Sequence, residues 1–137
     1  MKAFSVPDAT VLILDSEPVM RAVMRDALQD AGYLVIEAGD LGDAVSRLKE
    51  CRPDLLITRP YINSMPGRMA ADYLRSKCPG LPVLIVSGCM DDQRVNDQNL
   101  LGELHVFPQP FAREEFLAAV KQVVETTRKS PKAGAAR

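Results

Sequence analysis

The sequence has little of what marks a metal, disulfide, membrane or nucleic-acid protein. It holds one histidine, His105, and three widely spaced cysteines, Cys51, Cys78 and Cys89. An odd number of thiols without paired Cys or His spacings argues against both a disulfide framework and a zinc-type site. His105 has no nearby Cys or His with which to share a metal. The expectation is therefore reduced thiols in a cytoplasmic protein, and no metal. Charge of one sign is lacking too: the net charge is −1 over 137 residues. That leaves no electrostatic basis for binding nucleic acid or a membrane surface. Long apolar runs are also missing, since Val11–Leu14 and Leu81–Val86 are far too short to span a bilayer. Met1–Ser5 lacks the apolar stretch of a signal peptide.

What is present is enough for one buried core, with 47% hydrophobic and 26% charged residues. Five short apolar runs recur, each followed by a helix-like stretch. Val11–Leu14 ends at Asp15, Tyr33–Ile36 at Glu37, Leu55–Thr58 at Arg59 and Val83–Val86 at Ser87, while His105–Phe107 leads into Pro108. The first, third and fourth do not alternate apolar with polar residues. Such runs suit parallel strands covered by helices on both faces. Pro108 cannot donate to a strand ladder, which fits an edge strand.

The intervening stretches carry helical spacing. Val19, Val23, Ala27 and Leu28 fall on one face of the first, with Ser16 as a candidate N-cap, Pro18 in the first turn and Gly32 as the stop. Asp40 can cap a second helix that turns Ala44, Val45 and Leu48 inward. Ala70, Ala71 and Leu74 stripe a third, closed by Pro79-Gly80. Asp91 or Asp92 could cap a fourth with Val95, Leu100 and Leu101 as its apolar face. Phe116, Leu117, Val120, Val123 and Val124 give the fifth the strongest periodicity. Five strand–helix alternations imply right-handed βαβ units in an open, doubly wound α/β sheet. In such sheets the functional crevice lies at the carboxyl ends of the strands. The residues placed there are Asp15, Ser16, Glu17, Arg59, Ser87 and Gln109. The expected division is an N-terminal extension over 1–8, one domain over 9–126 and a disordered tail over 127–137.

Laid out this way, residues from about Thr10 to about Val124 resemble the response-regulator receiver domain of the CheY-like type. Val11-Leu12-Ile13-Leu14-Asp15-Ser16-Glu17-Pro18 resembles the family's first strand, which normally ends in two adjacent acids. Arg52-Pro53-Asp54-Leu55-Leu56-Ile57-Thr58 resembles the approach to its phosphoacceptor. Met65-Pro66-Gly67 stands where the family has Met-Asp-Gly, and Leu84-Ile85-Val86-Ser87-Gly88 resembles its fourth strand. Gln109-Pro110-Phe111 stands for Lys-Pro-Phe, with Pro110 a cis-proline candidate. The resemblance implies a flavodoxin-like fold with a five-stranded parallel sheet in the order 2-1-3-4-5. It implies phosphoryl transfer from a histidine kinase to an Asp at the end of the third strand. First-strand acids hold Mg²⁺ there, and a Thr or Ser and a Lys contact the phosphoryl group.

This sequence departs from that pattern where the chemistry is done. Arg59 stands at the acceptor position, and a guanidinium can neither form an acyl phosphate nor tolerate a nearby Mg²⁺. Ser16 removes one carboxylate that the hard cation would use, and Gln109 removes the lysine. Asp54 cannot substitute, because it lies about 16 Å away at the opposite end of its strand. Asp72 falls inside the third helix. Val106 occupies the position at which the family often carries a switching Tyr or Phe. Two readings of Arg59 stand side by side: it pairs with Asp15 across neighbouring strands, or it extends into solvent.

The expected function is a degenerate, non-enzymatic receiver in two-component or phosphorelay signalling. It would act by protein–protein contact, with weak or absent Mg²⁺ binding and no other cofactor. Its partner would be a histidine kinase or another signalling protein. The resemblance also implies a self-association face built from the fourth helix, fifth strand and fifth helix (92–101, 105–107 and 113–124). Gln98, Lys121 and Gln122 would form its rim. One alternative is the receiver half of a longer regulator with its output domain removed. Another is a flavodoxin-like ligand-binding protein, against which stands the absence of a Gly-rich phosphate loop after the first strand.

Overall fold

A computed structural model describes residues 9–88, 104–109 and 113–129, with backbone alone for 87–88, 104–109 and 126–129. In chain order the elements are β1 (Thr10–Leu14), α1 (Pro18–Asp30), β2 (Leu34–Ala38), α2 (Leu41–Glu50) and β3 (Leu55–Thr58). They continue with β4 (Tyr61–Ile62), β5 (Met65–Pro66), α3 (Gly67–Lys77), β6 (Val83–Gly88), β7 (Leu104–Gln109) and a last helix, α4 (Arg113–Lys129). The helix expected over 92–101 lies outside the described residues, as do the expected extension over 1–8 and Pro110. The last helix runs past residue 126, where composition places the end of the domain.

Strands β2, β1, β3 and β6 pair in parallel, as the alternation predicts, and stand in the order that the resemblance implies for the first four. The backbone of β7 runs parallel to β6, from Val83 beside Leu104 to Gly88 beside Gln109. Side chains alternate across a pleated strand, and here both faces are apolar. Val11, Ile13, Leu55, Ile57, Leu84 and Val86 enter one buried layer with Met24, Ala27 and Leu28 of α1 and Phe116, Val120, Val123 and Val124 of α4. Leu12, Leu14, Leu56, Val83 and Ile85 enter the other with Ala44 of α2 and Ala70, Ala71 and Leu74 of α3. Continuous apolar runs are thus the direct consequence of a sheet with two dry faces.

Local signals behave unevenly. Asp40 caps α2, its Oδ1 accepting from the Asp43 N–H at 2.8 Å. Pro18 opens α1, and Gly32 leaves it at φ 99°, a left-handed conformation that suits glycine. Two expectations for α1 need correction. Ser16 is not its N-cap: the cap position is Glu17, which makes no side-chain cap. Val19 and Val23 are not core residues but 76% and 50% exposed. Met20, Met24, Ala27 and Leu28 form the inward stripe instead, at spacings of four, three and one.

The short β4–β5 hairpin was not foreseen. Ile62 pairs with Met65 and Tyr61 with Pro66 across an Asn63-Ser64 turn, with Asn63 at φ 60°. It delivers Gly67, whose N–H donates to the Pro60 carbonyl at 2.6 Å. A Cβ on Gly67 would stand 1.9 Å from the Arg59 carbonyl oxygen, so α3 can start here only because residue 67 has no side chain.

Replacing Gly67 by Ala should therefore displace backbone against backbone and destabilise the domain by about 1–3 kcal/mol or more. Gly42→Ala meets only Asp40 Oδ1 at 3.6 Å and should be neutral or stabilising by about 0.5–1 kcal/mol. Urea denaturation of both variants is the check. Equal stability of Gly67→Ala and the parent would contradict the close approach.

Candidate functional site: the carboxyl end of the sheet

Parallel register assembles the site. Leu14 stands beside Ala38 on one side and Thr58 on the other, so the next residues along, Asp15, Gly39 and Arg59, meet at one edge. Asp15 is 1% exposed although it carries a carboxylate. Each of its polar groups has a partner from a different element. Its N–H donates to the Ala38 carbonyl at 3.1 Å, and its own carbonyl accepts from Arg21 Nη1 at 2.7 Å. Oδ1 accepts from the Glu17 N–H at 2.9 Å, and Oδ2 faces Arg59 Nη1 at 3.4 Å. Of the two readings of Arg59, the structure shows the pair with Asp15: the Arg59 side chain is 18% exposed and bridged to the carboxylate.

The pair is not a comfortable one. A charge-assisted contact is best near 2.7–2.9 Å, whereas this one spans 3.4 Å. Arg59 Nε is buried without a hydrogen-bond partner among the described residues, as is the Thr58 hydroxyl. Burial pushes the Asp15 carboxyl above its ordinary value, and the Glu17 N–H and the Arg59 guanidinium only partly oppose this. Desolvation exceeds the Coulombic return here, as it often does for a buried pair.

The other sequence-predicted residues fall into place unevenly. Ser16 is half-buried in the turn after β1, and Glu17 contributes its backbone while the residue is exposed. Ser87 and Gln109 lie on β6 and β7, where Ser87 is level with Pro108 and Gly88 with Gln109, and Val106 is level with Ile85. These are backbone placements only. Asp54 belongs to the other end: its Oδ2 accepts from the Thr10 N–H at 2.8 Å, tying β3 to β1. Asp72 is exposed on α3.

A second set of charges escaped sequence reasoning. Glu37, at the end of β2, receives Arg21 Nε and Arg25 Nη1, each at 3.2 Å, and its backbone carbonyl receives Arg47 Nε at 3.2 Å. Arg21 therefore links Glu37 to the Asp15 carbonyl, joining α1 to two strand ends. The i, i+4 spacing of Arg21 and Arg25 opposite a run ending in an acid was the available signal.

Among the described residues no group of three or more His, Cys, Asp or Glu could hold a metal ion. Asp15 is the one buried carboxylate among the described residues, and both its oxygens are engaged: one holds the α1 turn and the other faces a guanidinium.

The model of the response regulator receiver domain matches residues 11–121. The chain belongs to this family. The receiver domain is 31% identical over 120 residues to the probable transcriptional regulatory protein TcrX of Mycobacterium tuberculosis, covering 86% of this chain and 50% of that protein. It is 29% identical over 119 residues to the response regulator MprA of Mycobacterium ulcerans, covering 86% and 51%. It thus spans about half the length of these regulators. Among solved structures, NtrX from Brucella abortus superposes with a TM-score of 0.85 at 20% identity, over 96% of this chain and 30% of that one. The chemotaxis protein CheY4 of Vibrio cholerae gives 0.74 at 25% identity, over 85% and 99%.

The raised Asp15 value has a checkable sign. Between the unfolded carboxyl value of 3.8 and the higher folded one, the folded receiver domain binds more proton than the unfolded chain, so this group's contribution to stability falls as pH rises. Asp15→Asn keeps an acceptor for the Glu17 N–H but cannot titrate. Wild-type stability relative to Asp15→Asn should therefore be greater at about pH 4.5 than at about pH 7.5, measured by urea denaturation. A difference that is flat with pH, or that grows toward neutral pH, would mean the Arg59 pair holds the carboxyl down instead.

Proposed function

We propose that this receiver domain is not phosphorylated in the usual way and signals through protein contact within a two-component or phosphorelay system. The observation that carries the reading is Arg59 at the carboxyl end of β3, with its guanidinium against Asp15. By resemblance that position holds the phosphoacceptor. Phosphoryl transfer depends on electrostatic stabilisation by a metal and a cation. Here Arg59 takes over the charge balance of Asp15 without one. Ser16 supplies no second carboxylate, Gln109 no cation, and Mg²⁺ has no adequate donor set. The domain is then a non-enzymatic module without a cofactor.

Its partner would be a histidine kinase or another protein of such a pathway. A similar segment is embedded in the sensor kinase CckA of Brucella abortus, at 27% identity over 119 residues and 13% of that protein. No described helix is long and apolar enough to cross a membrane, and a cytoplasmic location accords with this. The half-length match to TcrX and MprA supports a second reading, in which the domain is the receiver half of a longer regulator.

Incubation with acetyl phosphate, or with beryllofluoride and Mg²⁺, should leave both mass and spectrum unchanged. One phosphoryl group per chain mapped to a crevice residue would refute the proposal. Arg59→Asp alone should label poorly, because Ser16 and Gln109 still leave metal and phosphoryl charge unsupported. The triple change with Ser16→Asp and Gln109→Lys should label faster, and equal rates in the two variants would overturn this account of the pocket.

A further inference from the structure

Among the described residues β2 has one strand neighbour, β1, and so forms an edge of the sheet. In their parallel ladder the Leu34 N–H donates to the Ala9 carbonyl at 3.0 Å, and the Ala38 carbonyl accepts from the Asp15 N–H at 3.1 Å. Backbone groups of successive strand residues point to opposite sides. Leu34, Ile36 and Ala38 therefore face β1, while Val35, Glu37 and Gly39 turn their N–H and C=O outward. An open row of this kind is a template for another strand. Leu34, 62% exposed at its start, adds apolar surface beside it.

Two side chains of α2 occupy this edge. Arg47 Nε donates to the outward Glu37 carbonyl at 3.2 Å, and Asp43 Oδ2 accepts from the outward Gly39 N–H at 3.3 Å. One residue of a further parallel strand would bond to these same two groups, giving its N–H to residue 37 and its C=O to residue 39. The α2 side chains thus supply one donor and one acceptor in place of a strand, and they pair with each other at 3.7 Å. Helix stability alone does not require this. A capping box would return the Asp43 carboxylate to the N–H of the N-cap residue, Asp40, yet it takes the N–H one residue further back. The i, i+4 pair with Asp43 would likewise satisfy Arg47 without a strand carbonyl. The Glu37 side chain meanwhile holds Arg21 and Arg25, which adds charge at the same point of the edge.

We propose that Asp43 and Arg47 close the carboxyl half of the β2 edge against strand pairing with a second copy of this chain. A two-fold related copy would lay β2 antiparallel on β2 and bond through the outward groups of Val35 and Glu37. The Glu37 carbonyl is already taken by Arg47, whose guanidinium stands where the second backbone would run. The contact is therefore held shut from within the chain. This edge differs from the face that the resemblance implies for self-association, and the inference does not depend on whether the crevice is phosphorylated.

Sedimentation velocity of the full chain over a concentration series reads the proposal, with melting temperatures to confirm that each variant folds. The Arg47 side chain is 42% exposed, so Arg47→Ala should leave the domain intact. That variant should self-associate at least about tenfold more tightly than the parent, and Asp43→Ala with Arg47→Ala more tightly still. Arg47→Met, a good helix former without a donor, gives the same reading where Arg47→Ala is too unstable to assay. Amide hydrogen exchange locates the contact. The outward N–H groups of Val35 and Glu37 should slow as Arg47→Ala associates, and should not change with concentration in the parent. Adding Leu34→Lys, a charge at an exposed edge position, should return Arg47→Ala to the behaviour of the parent. A folded variant no more associated than the parent overturns the proposal. Association that leaves the Val35 and Glu37 amides unprotected, or that is indifferent to Leu34→Lys, overturns it as well.

Discussion

A carboxylate almost wholly removed from water has to be held by its neighbours, and here Asp15 is held from three directions. Its backbone N–H takes a carbonyl of β2, its carboxylate orders the turn into α1, and its second oxygen faces the Arg59 guanidinium beyond β3. The carboxyl end of the sheet is organised around this one residue. Arg21 extends the hold to Glu37 at the edge. Burial nevertheless costs more than these partners return, since the Asp15 carboxyl is held above its ordinary range. Buried ion pairs commonly behave this way, losing to desolvation while still excluding other arrangements.

That constraint connects the fold to Gly67. Arg59 can turn toward Asp15 only if the backbone of residues 59 and 60 takes a fixed course, and Gly67 packs directly on the Arg59 carbonyl. The hairpin from Tyr61 to Pro66 brings Gly67 back to that point. A glycine that looks like part of a loop motif therefore acts at the start of a helix, by letting two backbone segments touch. The same hairpin forms one wall of an apolar groove beside α2, so a single loop shapes both the crevice and the neighbouring surface.

Much of this was legible in the sequence because a sheet buried on both faces leaves an unmistakable trace. Val11–Leu14, Leu55–Thr58 and Val83–Val86 are all strand residues, and the inward stripes of α3 and α4 obey the 3.6-residue period of a helix. Asp15 and Arg59 were legible as crevice residues because each comes directly after an apolar run, where a parallel strand ends. The hairpin was not visible, since two-residue strands are too short to show a period. The α1 face was misread because Val19 and Val23 repeat at the same spacing as Met20 and Met24, and spacing alone does not say which stripe meets the sheet. Ser16 looked like a cap by residue type, but the Asp15 carboxylate, one position earlier, holds the turn instead.

Two further polar groups lie at the carboxyl end of β3, beside the Asp15–Arg59 pair. Arg59 Nε and the Thr58 hydroxyl are buried without hydrogen-bond partners among the described residues. An apolar residue at position 59 would remove the guanidinium's buried nitrogen but leave the Asp15 carboxylate buried without its cation, which commonly costs more than the pair is worth. Retaining Arg59 makes sense if what matters is the charge at that position. The guanidinium beside Asp15 is a cation supplied by the chain itself, at the strand ends where β1 and β3 meet.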